Sequence, residues 1–243
     1  MSAISYTSIT ATFRQGARIA AATDPSCNTE IDGSCFATTC AGSTSDAGIA
    51  DAGALAPPVS AGTLTFAQGG SPPIAVMPGL GGAYNYNSVA GGATLQGGGT
   101  IGIMSSGDVV PTFTASVMMP NDITVNMPAA PAIFGEPIVV SRAADLPIVW
   151  LGGAPGNVQF YASQGPSGGP TATIFCSFLG GSGSGTVPAA ALAHLSATDA
   201  SGMPYTQLFV SAQSPAATVQ AGGWTIQVTA SGAGSLFATA AVQ

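Results

Sequence analysis

Three of the four cysteines, Cys27, Cys35 and Cys40, fall within the stretch PSCNTEIDGSCFATTC at 25–40, beside Glu30 and Asp32. Thiolates so grouped can ligate a metal, attack an electrophile or close as disulfides, and the spacing separates these options. Zinc sites use four close ligands, commonly in Cys-x-x-Cys pairs. Here the intervals are seven and four residues, and the single histidine, His194, lies far along the chain, so no metal is expected. Asp24, Ser26, Asn28, Glu30 and Asp32 alternate oxygen-bearing side chains, but residues two apart on a strand spread along one face instead of converging on an ion. A nucleophilic thiol needs a neighbouring cation or base to lower its pKa, and none is near in sequence. A covalent staple remains. With Asp32-Gly33 as a two-residue hairpin loop, Ile31 faces Ser34 and Cys27 faces Thr38. Cys27 and Cys40 then share a face one diagonal step apart, with Cys35 on the other. Changing the loop length by two would set Cys27 directly opposite Cys40. A Cys27–Cys40 bridge is therefore expected, worth about 3 kcal/mol for so short a loop in the chain-entropy account. Cys35 and Cys176 either pair, tying two domains together, or stay reduced and buried.

The remaining catalytic patterns fail on context. GPSGG at 165–169 centres Ser167 in a nucleophile-elbow pattern, but an elbow joins a strand to a helix. Here it separates two strand-like runs, NVQFYAS and TATIFCSFL, and no acid stands between Ser167 and His194. Asp199 is the remaining acid for such a triad. GGGTIG at 97–102 matches a dinucleotide fingerprint but opens a strand, not a helix, and so reads as a turn. The methionines read as core packing. No catalytic residue and no cofactor is expected. The surface segment that reads best as a binding site is GAYNYNS, where Tyr84 and Tyr86 alternate with Asn85 and Asn87. One face would offer rings for stacking against sugars and the other amides for hydroxyls, unless the tyrosines face the core and the asparagines face water.

These side chains must be held by strands. GTLTFAQ places Leu64 and Phe66 on one face, ITVNM places Ile123, Val125 and Met127 together, and WTIQVTA does so for Trp224, Ile226 and Val228. Trp150 in LPIVWLGG and Trp224 read as core anchors. Gly, Pro, Asn and Ser clusters punctuate at the close spacing of sandwiches and barrels, so the fold class is all-β. Only GTVPAAALAHL at 185–195 suggests a short helix or 3-10 connector, with Thr186 as cap and Pro188 in the first turn. Residues 41–62 read as a long surface loop, with too few carboxylates for a calcium loop. GGGTIGIMSSG at 97–107 echoes GGWTIQVTASG near 223–232, and TFTASV echoes LFATAAV. That predicts a duplication into two tandem β-sandwiches, residues 1–128 and 129–243.

Composition limits the partners. Charged residues make up 5% of the 243 residues, net charge is -7, and the only basic residues are Arg14, Arg18 and Arg142. Nucleic-acid binding needs several phosphate-neutralising cations, so it is excluded, and an anionic membrane surface is disfavoured likewise. No apolar run is long enough for a spanning helix. Cysteines in a lysine-free, polar chain fit an oxidising compartment. The opening MSAISYTSITATF lacks a charged leader with an apolar core, so export requires a segment removed from this sequence.

Residues 136–243 resemble an immunoglobulin-type sandwich through EPIVVS, LPIVWLGG, TIFCSF and the closing strands, although Cys176 alone cannot form the usual inter-sheet disulfide there. The early Cys, Gly-Ser-Cys and Cys cluster, VSAGTLTF, GGGTIGIMSSGDVVPTF, LPIVWLGG and GSGTVPAAAL together resemble uncharacterised secreted or lipoprotein-like β proteins of the myxobacterial kind. That resemblance implies surface location and no known activity. The expectation is a non-enzymatic extracellular or bacterial cell-surface protein with a structural or adhesive task, and residues 2–14 could complete their own sheet or add as a strand to a neighbour's edge and build fibres. The alternative is a carbohydrate- or peptide-binding module using Tyr84 and Tyr86.

Overall fold

The computed structural model describes residues 8–11, 13, 27–40, 58–87, 95–131, 133, 136–165, 171–199, 201–232 and 236–243; for 8–10, 27–32, 87 and 171 it describes the backbone alone. The first strands are β1 (Ser8–Ala11), β2 (Cys27–Asp32), β3 (Cys35–Cys40), β4 (Leu64–Gln68), β5 (Ile74–Val76) and β6 (Tyr84–Asn87). Then come β7 (Thr100–Ser105), β8 (Thr114–Met118), β9 (Ile123–Met127), β10 (Ile138–Val140), β11 (Leu146–Gly152), β12 (Asn157–Gln164) and β13 (Thr171–Leu179). β14 (Ser184–Val187), α1 (Ala189–Leu192), β15 (Thr206–Gln213), β16 (Ala217–Ala221), β17 (Trp224–Val228) and β18 (Leu236–Val242) complete the order. The protein is all-β, as the alternating pattern requires.

The chain forms two compact units, but they are not consecutive halves. One gathers 1–20, 53–121 and 213–233; the other gathers 21–52, 122–212 and 234–243. The division at 128/129 is therefore corrected to an interleaved one. Its physical cause is long-range pairing: β3 lies beside β13, and β10 runs parallel to β18. The duplication fails with it. The two echoing glycine-turn segments, β7 and β17, belong to the same unit, while β18, the expected match of β8, belongs to the other. Phe113 is buried and its supposed counterpart Phe237 is exposed.

In the second unit a seven-stranded sheet, β10-β18-β15-β12-β13-β3-β2, faces a three-stranded one, β14-β11-β9. Period-two alternation supplies the shared core: Val158, Phe160 and Ala162 from β12, Ile174 and Cys176 from β13, and Leu208 and Val210 from β15 meet Ile148, Trp150 and Val187 from the smaller sheet. The larger sheet outruns the smaller, and α1 with Leu192 and Leu195 completes this core near β2 and β3. The helix is capped otherwise than expected. Thr186 lies in β14, and the backbone N–H of Ala189 donates to Asp145 Oδ1 at 2.8 Å. Trp150 is fully buried, donates from Nε1 to Gly180 O at 2.9 Å and stacks on Phe178 with centroids 6.0 Å apart. Glycine is required against Phe178, since a Cβ on Gly185 would collide with that ring.

In the first unit the sheet β5-β4-β7-β8 and the pairs β1-β6 and β16-β17 surround Leu64, Phe66, Ile101, Ile103, Phe113 and Ile226. Trp224 packs half-buried against this core. The expected surface loop at 41–62 is corrected at its end: residues 41–57 lie outside the described residues, but Val59 bridges to Phe13 and Ala61 is fully buried.

Candidate functional site

The hairpin β2–β3 turns through Gly33-Ser34, one residue later than expected, because Gly33 takes φ +60°, as the first central residue of a tight hairpin turn favours. That shift pairs Asp32 with Cys35 and sets Cys27 directly opposite Cys40. Cys40 is disulfide-bonded; the side chain of Cys27 lies outside the described residues. Cys35 and Cys176 form a disulfide. They are direct partners in the β3–β13 ladder, and the neighbouring bond from Ser177 N to Ser34 O at 3.0 Å marks theirs as a non-hydrogen-bonded pair, where side chains approach most closely. Both cysteines belong to one unit, so this bridge fastens the hairpin to its own sheet and does not tie two domains together.

Of the two readings of the tyrosine pair, the structure takes the core-facing one. Tyr84 is 1% exposed, its hydroxyl accepting from Ala61 N and donating to Gly62 O, both at 2.7 Å, with its ring edge-on to Phe13. Tyr86 is half-buried against the same core, Asn85 is exposed, and the side chain of Asn87 lies outside the described residues. β1 pairs with β6 through Ile9 opposite Tyr86, so the described part of residues 2–14 completes a sheet within its own unit. Ser167 lies outside the described residues. His194 Nδ1 lies 3.3 Å from Thr39 Oγ1. Asp199 is occupied by its own turn: Oδ1 accepts from the Ser201 hydroxyl at 2.5 Å and from the backbone of Ser201 and Met203 at 2.8 and 3.1 Å. These bonds favour the ionised form and hold the carboxyl below the usual aspartate range, the Ser201 side chain contributing most. Its contribution to stability is thus present above the unfolded value and lost as pH falls through the lower folded one. An NMR titration should place the Asp199 midpoint below that of an unpaired aspartate, with Ser201→Ala moving it upward; a wild-type midpoint no lower than that of an unpaired aspartate contradicts the turn.

Among the described residues no three His, Cys, Asp or Glu side chains come together as a metal site, and no helix is long and apolar enough to cross a membrane.

A feature that no single strand reveals is the outward face of the seven-stranded sheet. In five of its strands an aromatic residue follows directly after an inward-facing one: Phe36 after Cys35, Tyr161 after Phe160, Phe175 after Ile174, Phe209 after Leu208 and Phe237 after Leu236. Alternation turns each of the five outward. The ladders then align them: Phe36 opposite Phe175, Phe175 opposite Tyr161, and Phe209 opposite Phe237. The bonds from Gly165 N to Tyr205 O and from Gln164 Nε2 to Thr206 Oγ1 carry the register from β12 to β15, bringing Tyr161 level with Phe209. The result is one row of rings across five neighbouring strands. Phe36 and Phe175 stack with centroids 5.0 Å apart, and exposure along the row reaches 63% at Phe237. Two residues along each strand runs a second row, Thr38, Thr173, Ser163, Gln207 and Thr239, all at least partly exposed. The disulfide lies on the opposite, buried side of β3 and β13, one residue from Phe36 and Phe175, and so fixes the register of the two rings that stack.

No protein-family model and no curated protein matches the sequence. A solved structure described as a Ca2+-stabilized adhesin that helps an Antarctic bacterium reach out and bind ice is similar over 86% of this chain and 44% of its own, at 14% identity and a TM-score of 0.21. This chain therefore spans less than half the length of that protein, and a likeness at that TM-score carries no weight for fold or function.

Proposed function

We propose that this chain is a non-enzymatic adhesive protein working outside the cell or on a bacterial cell surface, and that the aromatic row is its contact face. The row carries the proposal. Large rings aligned and left in water on a sheet face are a cost to solubility, and contiguous exposed apolar surface marks sites of interaction. Buried disulfide chemistry supports an oxidising environment, and the direct opposition of Cys27 and Cys40 supports a second bridge between them. Residues 2–14 remain the segment through which copies would add strands to one another, along the edge of β1 away from β6. A ligand site on Tyr84 and Tyr86 is not carried forward, because burial removes the Tyr84 ring from any ligand.

The test is retention of protein-coated beads on surface matrix from the producing cells. Tyr161→Ser, Phe209→Ser and Phe237→Ser together should reduce retention at least tenfold, while Met77→Ala, at an exposed methionine of the other unit, should leave it unchanged. Equal retention by the wild type and the triple variant would remove the row from the contact.

A further inference from the structure

Taken as the contact surface, a reading on which this inference rests, the outward face of the seven-stranded sheet narrows the chemistry of its occupant. Every described outward side chain of β3, β12, β13, β15, β18 and β10 is aromatic, hydroxyl, amide, aliphatic or cysteine; none is charged. An ionic ligand would gain nothing there and would lose hydration. An occupant must instead offer apolar C–H surface to the rings and, at a fixed lateral offset, hydroxyl groups to the row of Thr, Ser and Gln. The rows lie about 7 Å apart, two residues along a strand, and each advances by about 4.8 Å from strand to strand. A sugar ring meets both demands at once: its axial C–H face stacks on an aromatic ring while its equatorial hydroxyls project sideways. A run of such rings repeats the match along the row. Four inter-strand steps make the track roughly 19 Å long, the span of several sugar units. Sheet twist rotates each successive strand by about 20°, so the rings follow a turning ribbon, which fits one flexible chain better than the flat face of a crystal.

We infer that the aromatic row binds a single neutral polysaccharide chain lying across the strands of β18, β15, β12, β13 and β3, with the hydroxyl-bearing row reading its equatorial hydroxyls. The polymer stacks on Phe36, Phe175, Tyr161, Phe209 and Phe237 and hydrogen-bonds to Thr38, Thr173, Ser163, Gln207 and Thr239.

Native affinity electrophoresis of the full chain tests this with hydroxyethyl cellulose and xyloglucan as neutral probes and polygalacturonate as an acidic one. The wild type should be retarded by at least one neutral polymer and not by polygalacturonate. Tyr161→Ala should weaken that retardation about tenfold, and Thr173→Val and Gln207→Leu, which leave the rings in place, should each weaken it several-fold. Thermal melts of the variants confirm that the fold is retained, and Phe237→Ala, at the most exposed ring, serves if Tyr161→Ala melts early. No retardation by either neutral polymer, or equal retardation by polygalacturonate, overturns the inference. If bead retention still depends on the row in that case, the adhesive reading stands and the glycan reading alone is lost. Row-dependent dimerisation seen by sedimentation, without retardation, overturns it too and assigns the face to a second copy of this chain.

Discussion

Removing the Cys35–Cys176 bridge, as Cys35→Ala with Cys176→Ala, should cost about 5 kcal/mol in the chain-entropy account, because the cross-link joins residues 141 positions apart. Alanine is preferred to serine, since both sites are buried and a hydroxyl there would lack a partner. Against a typical total of about 5–15 kcal/mol, that is a large fraction of the whole. The loss should begin locally: β3 holds β2, so amides of both strands should lose hydrogen-exchange protection before those of β12 or β15. Urea unfolding of oxidised wild type and double variant gives the difference in stability. A loss under about 1 kcal/mol, well below the usual range for a disulfide, with protection of β3 intact, would show that backbone pairing alone fastens the hairpin.

Trp150→Ala should cost about 3–5 kcal/mol, the range for emptying a large aromatic site in a core. Three contributions coincide at this residue. The indole fills the space between the sheets, it stacks on Phe178, and its N–H satisfies Gly180 O, which sits in a glycine corner where Gly180 N also donates to Gly156 O at 2.7 Å. Trp150→Phe separates them: most of the volume stays while Gly180 O loses its donor, so about 1–3 kcal/mol should disappear. Chemical denaturation with an unchanged m-value is the measurement. Near-equal stabilities of Trp150→Ala and the wild type would mean that Trp150 is not the anchor its burial implies.

Alternation made the strands legible, and it placed Leu64, Phe66, Ile123, Trp150 and Ile226 on inward or core-facing positions, where they are found at least nine-tenths buried; the methionines read as core packing depart from this, Met77, Met104, Met118 and Met127 being exposed. Pairing was not legible, because a strand's own pattern says which side chains share a face and nothing about which distant strand lies alongside. That gap explains the mistaken halves at 128/129 and the mistaken duplication. It also hid the candidate site: Phe36, Tyr161, Phe175, Phe209 and Phe237 each occupy an outward position in their own strand, yet only the pairing of β3, β13, β12, β15 and β18 makes them a row. Tyr84 left two readings open for the reverse reason. Its alternation with asparagines suits either face, and the deciding partners, Ala61 N and Gly62 O, come from a segment read as a loop.

The interleaving of segments governs how such a molecule can be made. Synthesis delivers the chain from its N-terminus, yet β10 waits for β18 as its parallel neighbour and the first unit waits for residues 213–233. Neither body can complete its pairing until residues 213–242 have been made. Until then, unpaired strand edges stay open to wrong partners. A cell producing this protein must therefore keep the polypeptide apart from its siblings until residues 213–242 are available for pairing.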